Sequence, residues 1–157
     1  MKVSEVMSRG VDPLSPSATV QDSAQQMAEF DVGAVLIGSE DVLLGILTDR
    51  DIILRVVIEG TPPADVKVGD VMSSTLFTCR EDDTVESAFR QMQERQIRRL
   101  PVLGESGQLL GVVTLGDLSR RLGDREGLAE ALRDITDPHR NREAPENPEQ
   151  GQAQRPS

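Results

Sequence analysis

Two heptapeptides carry residue types whose spacing fits binding chemistry: Gly45-Ile46-Leu47-Thr48-Asp49-Arg50-Asp51 and Gly111-Val112-Val113-Thr114-Leu115-Gly116-Asp117. Each reads Gly-apolar-apolar-Thr-x-x-Asp, with a strand ending at the threonine and a helix beginning just after it. Such a junction presents unpaired backbone N–H groups and the positive end of a helix dipole, which suit a phosphate. Thr48 and Thr114 add a hydroxyl donor. Asp51 and Asp117 stand three residues on, about one helical turn away and on the same side. A carboxylate there can accept both hydroxyls of a ribose. The same two residue types also make a helix cap, with Thr at the N-cap and Asp as its first-turn partner.

Other chemistry is scarce. The only histidine, His139, lies in a Pro-rich tail, and the only cysteine, Cys79, follows the apolar run Leu76-Phe77-Thr78. No Cys/His zinc cluster and no Ser-His-Asp or Cys-His set can be drawn from them, and Cys79 cannot close an internal disulfide. Its expected state is an inert, half-buried thiol. No Gly-rich phosphate loop of the Walker type occurs. The carboxylates Glu81, Asp82 and Asp83 precede a helix and read as a solvated cap. The chain is therefore expected to be no enzyme and to hold no metal.

The elements that position the two heptapeptides are themselves duplicated. Val3-Ser4-Glu5-Val6-Met7-Ser8 returns as Val68-Gly69-Asp70-Val71-Met72-Ser73, and Thr19, Val20 and Met27 return as Thr84, Val85 and Met92, all 65 positions later. The heptapeptides are 66 apart, so one residue entered the turn between. Each copy reads as a short extended piece (11–14; 76–79), a helix, two strands around a polar turn (34–37 and 43–48; 99–103 and 109–114), and a second helix (49–58; 115–122). The first helix is expected to bury Val20, Ala24, Met27 and Ala28, and its copy Val85, Ala88, Phe89 and Met92. The fold class is thus α/β (α+β), two β-α-β-β-α units. A unit this small must pack against its copy, and ligands favour the cleft between. The expected organisation is a first repeat at 1–60, a Pro-Pro linker at 61–67, a second repeat at 68–124 and a short helix at 125–136. Residues 137–157 hold four prolines and no Leu, Ile, Val, Phe or Met, so this tail is expected to be disordered.

Composition narrows the partners. The formal charge is −10, and aromatics are 2%, three Phe with no Trp or Tyr. Neither a basic surface for phosphate backbones nor stacking platforms for bases are present, so nucleic acid is not an expected partner. No apolar run approaches the ~20 residues that span a bilayer, and no basic-then-apolar leader opens the chain. The expectation is a cytoplasmic protein with no membrane partner. The basic residues gather in the second repeat, including Arg95, Arg98, Arg99, Arg120 and Arg121. The helix at 51–58 is apolar nearly all round, so one face must cover the hairpin and the rest wants another partner or burial under the linker.

The paired heptapeptides, each after a matching helix and hairpin, resemble the CBS domain, and the tandem resembles a stand-alone, bacterial-type Bateman module over residues 1–122. That resemblance implies a non-catalytic sensor of adenine nucleotides, in which each cleft draws on both repeats. In one cleft Val112, Thr114, Gly116 and Asp117 would meet Ser8, Val11, Asp12, Val32 and Gly33, with Val11, Val32 and Val112 around adenine. In the other, Ile46, Thr48, Arg50 and Asp51 would meet Ser74, Phe77 and Ile97. Arg98 and Arg99 match the position where the gamma subunit of AMP-activated kinase, a CBS protein, sets basic groups on the AMP phosphate. Their first-repeat counterparts are Gly33 and Ala34, which makes the clefts unequal. The alternative is a solvated pair of edge-strand arginines. The implied ligand is AMP, with ADP, ATP, NAD and S-adenosylmethionine as alternatives. The implied assembly is a homodimer through the apolar helix, read by an unidentified downstream protein. The rival reading is a structural or interaction module with empty clefts.

Overall fold

The computed structural model describes residues 1–123 together with Gly127, Ala129, Glu130, Leu132 and Arg133. In order, it contains α1 (Val20–Phe30), β1 (Ala34–Gly38), β2 (Leu43–Thr48), α2 (Asp49–Ile52), α3 (Val68–Val71), β3 (Cys79–Arg80), α4 (Val85–Arg95), β4 (Arg99–Leu103), β5 (Leu109–Thr114) and α5 (Leu115–Leu122). Short 3-10 turns sit at Val3–Glu5 and Pro63–Asp65. The five described residues past 123 are helical. The rest of the expected closing helix at 125–136, and the tail at 137–157, lie outside the described residues.

Threonines start the long helices. The Thr19 hydroxyl accepts from the Asp22 N–H at 3.1 Å, and the Asp22 carboxylate accepts from the Thr19 N–H at 2.9 Å. Thr84 caps α4 by accepting from the Ser87 N–H at 3.1 Å. The buried face of α1 is Val20, Ser23 and Met27, and that of α4 is Val85, Ala88 and Met92, the same three positions in each copy. Ala24 and Ala28, expected in the core, are exposed. Ser23 takes the inward position that Ala88 holds in the copy, and its hydroxyl donates to the Val20 carbonyl at 2.6 Å, so its polar group is buried with a partner.

Both hairpins are antiparallel and match in register, Ala34 opposite Thr48 and Arg99 opposite Thr114. β3 adds to β4 in parallel, Cys79 opposite Val102. The leading extended pieces are shorter than expected. The second keeps only Cys79–Arg80 as strand. The first keeps one bridge, Leu14 to Ile37, between Pro13 and Pro16, which have no N–H to donate. The helix expected over 49–58 changes pitch: α2 passes into a π-helical turn, Ile53–Val57, closed by the Ile58 N–H on the Ile53 carbonyl at 3.2 Å.

The leading segment of each half is folded onto the other half. The Val3 N–H donates to the Asp83 carbonyl and the Val68 N–H to the Ala18 carbonyl, both at 2.8 Å. Ser8 bridges Val112 and Ser73 bridges Ile46. Val3 is fully buried with Val85, Met92, Leu100 and Leu118, while Val68 is fully buried with Val20, Ile37, Leu47 and Val56. Each buried valine is worth about 1.5–3 kcal/mol. The glycines that open the heptapeptides permit this crossing. A methyl on Gly111 would fall on the Ser8 carbonyl oxygen, and one on Gly45 would lie 2.7 Å from the Ser73 carbonyl oxygen. The first residue of each motif is therefore required by backbone packing.

Candidate functional site

The Thr-x-x-Asp pairs form helix caps in both repeats. The Thr48 N–H donates to Asp51 Oδ2 at 3.0 Å, and the Asp51 N–H to Thr48 Oγ1 at 3.1 Å. In the second repeat the Thr114 N–H and hydroxyl both donate to Asp117 Oδ2, at 2.9 and 2.7 Å, and the Asp117 N–H donates to Thr114 Oγ1 at 3.2 Å. Arg120 Nη2 donates to Asp117 Oδ1 at 3.3 Å from a side chain that is 75% exposed. Thr19 and Asp22 make the same box, so this geometry by itself marks a helix start and not a ligand.

A cavity of about 470 Å³ lies where the halves meet. One wall is the leading segment, Ser8 and residues 10–14. A second is Gln26 and Phe30 of α1 with Val32 and residues 34–36 of β1. Across from them stand Ile46 of β2, Arg99 and Pro101 of β4, and Val112 and Thr114 of β5. Strand alternation sets this wall: Arg99, Pro101, Val112 and Thr114 line the cavity while Leu100, Val102 and Val113 are fully buried in the core. The lining is mainly apolar, and its charged groups are Asp12 and Arg99. Arg99 is half-buried, and no ion pair or hydrogen bond engages its guanidinium among the described residues.

Of the residues expected in this cleft, Ser8, Val11, Asp12, Val32, Val112 and Thr114 line the cavity together. Gly33, Gly116 and Asp117 do not line it, and the Gly33 carbonyl instead accepts the Asp49 N–H at 3.0 Å. Ile46, expected in the other cleft, lines this one. Gln26 and Phe30 were not anticipated. Phe30 is 63% exposed at the end of α1, and an aromatic in so polar a turn was the available signal.

The other expected cleft is not assembled in the same way. Ser74 lines an open concavity of about 610 Å³ between Leu54, Arg55 and Glu59 on one side and residues 70–75 on the other. Thr48, Arg50, Asp51, Phe77 and Ile97 line neither cavity. Arg55 spans that concavity, donating to the Val71 carbonyl at 2.6 Å and pairing with Asp51 at 3.6 Å. The Phe77 ring carries the Arg95 guanidinium 4.7 Å above its centroid. Arg98 is exposed and outside both linings, and its carbonyl accepts the Leu115 N–H at 2.8 Å. Cys79 is more buried than expected, at 3% exposure, and burial, with the charge of Asp83, pushes its thiol up to about 12. Among the described residues no three His, Cys, Asp or Glu side chains group to hold a metal, and no helix is long and apolar enough to cross a membrane.

An interleaved pair of β-α-β-β-α units with a cleft at their junction is the architecture of tandem CBS domains. The CBS-domain family model matches residues 3–58 and again 68–124, and the chain belongs to that family. The CBS domain-containing protein YhcV of Bacillus subtilis is 37% identical over 139 residues, 88% of this chain and 96% of its own. The uncharacterized protein MK0525 of Methanopyrus kandleri is 39% identical over 119 residues, 75% of this chain, and the chain spans 61% of its length. The crystal structure of Hypoxic Response Protein I with two coordinated zinc ions superposes with a TM-score of 0.69 at 32% identity, covering 78% of this chain and 99% of that one.

Proposed function

We propose that the chain is a non-catalytic regulatory module that binds an adenine nucleotide, AMP foremost, in the cavity between its halves. The observation carrying this reading is a slot lined by Val11, Val32 and Val112, with the Arg99 guanidinium, unengaged among the described residues, on its wall. Apolar walls suit a purine face, and a guanidinium without a protein partner suits a phosphate, which it can hold through two hydrogen bonds. The same feature favours AMP, ADP, ATP or NAD over S-adenosylmethionine, which has no phosphate. Ribose hydroxyls would reach Asp117 by displacing Arg120, whose exposed ion pair is worth little. Asp117 has acceptor capacity beyond its cap, since a carboxylate offers about four lone-pair sites.

Calorimetry of AMP and adenosine against the native chain and Arg99→Ala tests the reading. Loss of a charge-assisted contact costs about 1.5–3 kcal/mol, so AMP affinity should fall about ten- to a hundredfold while adenosine changes little. Equal weakening of both ligands would assign Arg99 to the fold. Absence of binding by any adenine nucleotide would leave the structural-module reading standing.

The assembly in which such a module reports its ligand is proposed to be a homodimer. Ile53, Leu54, Val57 and Ile58 project from the π-helical turn at 55%, 47%, 59% and 67% exposure. A contiguous apolar face of this kind marks an interaction surface. A nucleotide can shift the arrangement of two subunits only by binding one arrangement more tightly than the other.

A further inference from the structure

We propose that the chain keeps one ligand position open and fills the symmetry-related position with its own Phe77 side chain, held down by Arg95, so that each chain takes a single nucleotide. The stoichiometry rests on the nucleotide reading above; the filling of the second position does not.

The two halves repeat the same crossing contacts, Ser8 to Val112 and Ser73 to Ile46, so each wall of the open cavity has a counterpart in the other half, 65 positions away before the hairpin turn and 66 after it. The open cavity is lined by Gly10 and Asp12, and the counterparts are Thr75 and Phe77. Each is bulkier than the residue it replaces. Asp12 is exposed, whereas Phe77 is half-buried and packs on the core cluster that contains Val85 and Leu100. The counterpart of Phe30 is Arg95, and its guanidinium lies 4.7 Å over the Phe77 ring. A phenylalanine buries roughly 150–250 Å² when packed, and a cation above its face adds attraction. Leu14 lines the open cavity, while its counterpart Cys79 is 3% exposed. The wall position that faces a ligand slot in the first half is thus shut in the second. Arg99, the counterpart of Ala34, reaches into the open cavity from across the axis.

The test transplants the open cleft's residues into the closed one, Phe77→Asp with Arg95→Phe, and reads two quantities. In calorimetry with AMP the native chain should bind one equivalent and the variant two. In native buffer, alkylation of Cys79 by N-ethylmaleimide should be slow in the native chain and at least tenfold faster in the variant. Circular dichroism establishes that the variant is folded, and Phe77→Ala alone serves if the double variant is not. Two equivalents in the native chain would overturn the proposal, as would a folded variant whose thiol reacts at the native rate. If the native chain binds no AMP but the variant's thiol opens, the filled position stands and the nucleotide reading falls.

Discussion

A single methyl group added at Gly111 should unseat the crossing of the two halves. The new Cβ would fall on the Ser8 carbonyl oxygen, 3.1 Å from the carbonyl carbon and 3.4 Å from Met7 Sδ. The nearest neighbour is backbone and cannot swing aside. Ser8 and Val112 exchange two hydrogen bonds, each 2.9 Å, so making room for the methyl pulls both apart. Overpacking costs about 1–3 kcal/mol and each of the two lost backbone bonds about 0.5–1.5, for a combined loss of about 2–6 kcal/mol. For a chain of 157 residues 1 kcal/mol moves the midpoint by about 2–4 °C, which gives a fall of about 4–24 °C. Gly116→Ala is the control. Its Cβ would meet nothing closer than 3.7 Å, and in the first turn of α5 alanine is neutral to about 1 kcal/mol better than glycine. With no Trp or Tyr to report by fluorescence, far-ultraviolet circular dichroism melts are the assay. A Gly111→Ala midpoint within about 2 °C of both the native chain and Gly116→Ala would refute the packing account of the motif glycine.

Further outcomes are expected. Asp22→Ala, Asp51→Ala and Asp117→Ala each remove one reciprocal cap and should each lose about 0.5–2 kcal/mol of stability. Only Asp117→Ala should also weaken AMP, by about tenfold or more in calorimetry; equal losses of affinity in all three would trace the effect to folding. Ile53→Glu should be monomeric in sedimentation at tens of micromolar, where the native chain is a dimer, and a native monomer there contradicts the assembly. Burial first and Asp83 second raise the Cys79 thiol from 9.0 to about 12, so the folded state favours the neutral form. Its contribution to stability is complete below pH about 9 and drains away as pH climbs towards 12. The difference in urea midpoint between the native chain and Cys79→Ala should shrink across that window, and a constant difference would contradict the burial argument.

Much of the fold is legible because the sequence states it twice. The hairpin strands 43–48, 99–103 and 109–114 were readable to the residue, since β-rich runs flank polar turns of four or five residues. The inward face of α1 was harder, because a small serine can be buried as readily as alanine once its hydroxyl bonds back to Val20. Ala24 and Ser23 differ by one position, and only comparison with Ala88 in the copy selects the right one. The crossing of the leading segments left no local trace. Its sole signature is the pair of glycines at 45 and 111, whose reason lies in a backbone some hundred residues away in one case. Of the site, the apolar slot residues Val11, Val32 and Val112 came from the resemblance to tandem CBS domains and not from spacing or periodicity. Gln26 was not legible, because α1 carries it to the slot only through packing on β1, and Phe30 left a single trace, an aromatic at a polar helix end.

The exchange of leading segments bears on how the chain folds as it is made. Residues 1–60 emerge first, but their core lacks Val68, and Val3 has nowhere to lodge until Leu118 has been synthesised. At about 5–20 residues per second Val3 waits for seconds between the emergence of the first half and that of Leu118. The closing contacts span long stretches of chain, which slows their formation. The first core, whose described members end at Met72, can therefore close while the second is still being made, and it is Val3 and the second core that stay exposed until Leu118 has emerged.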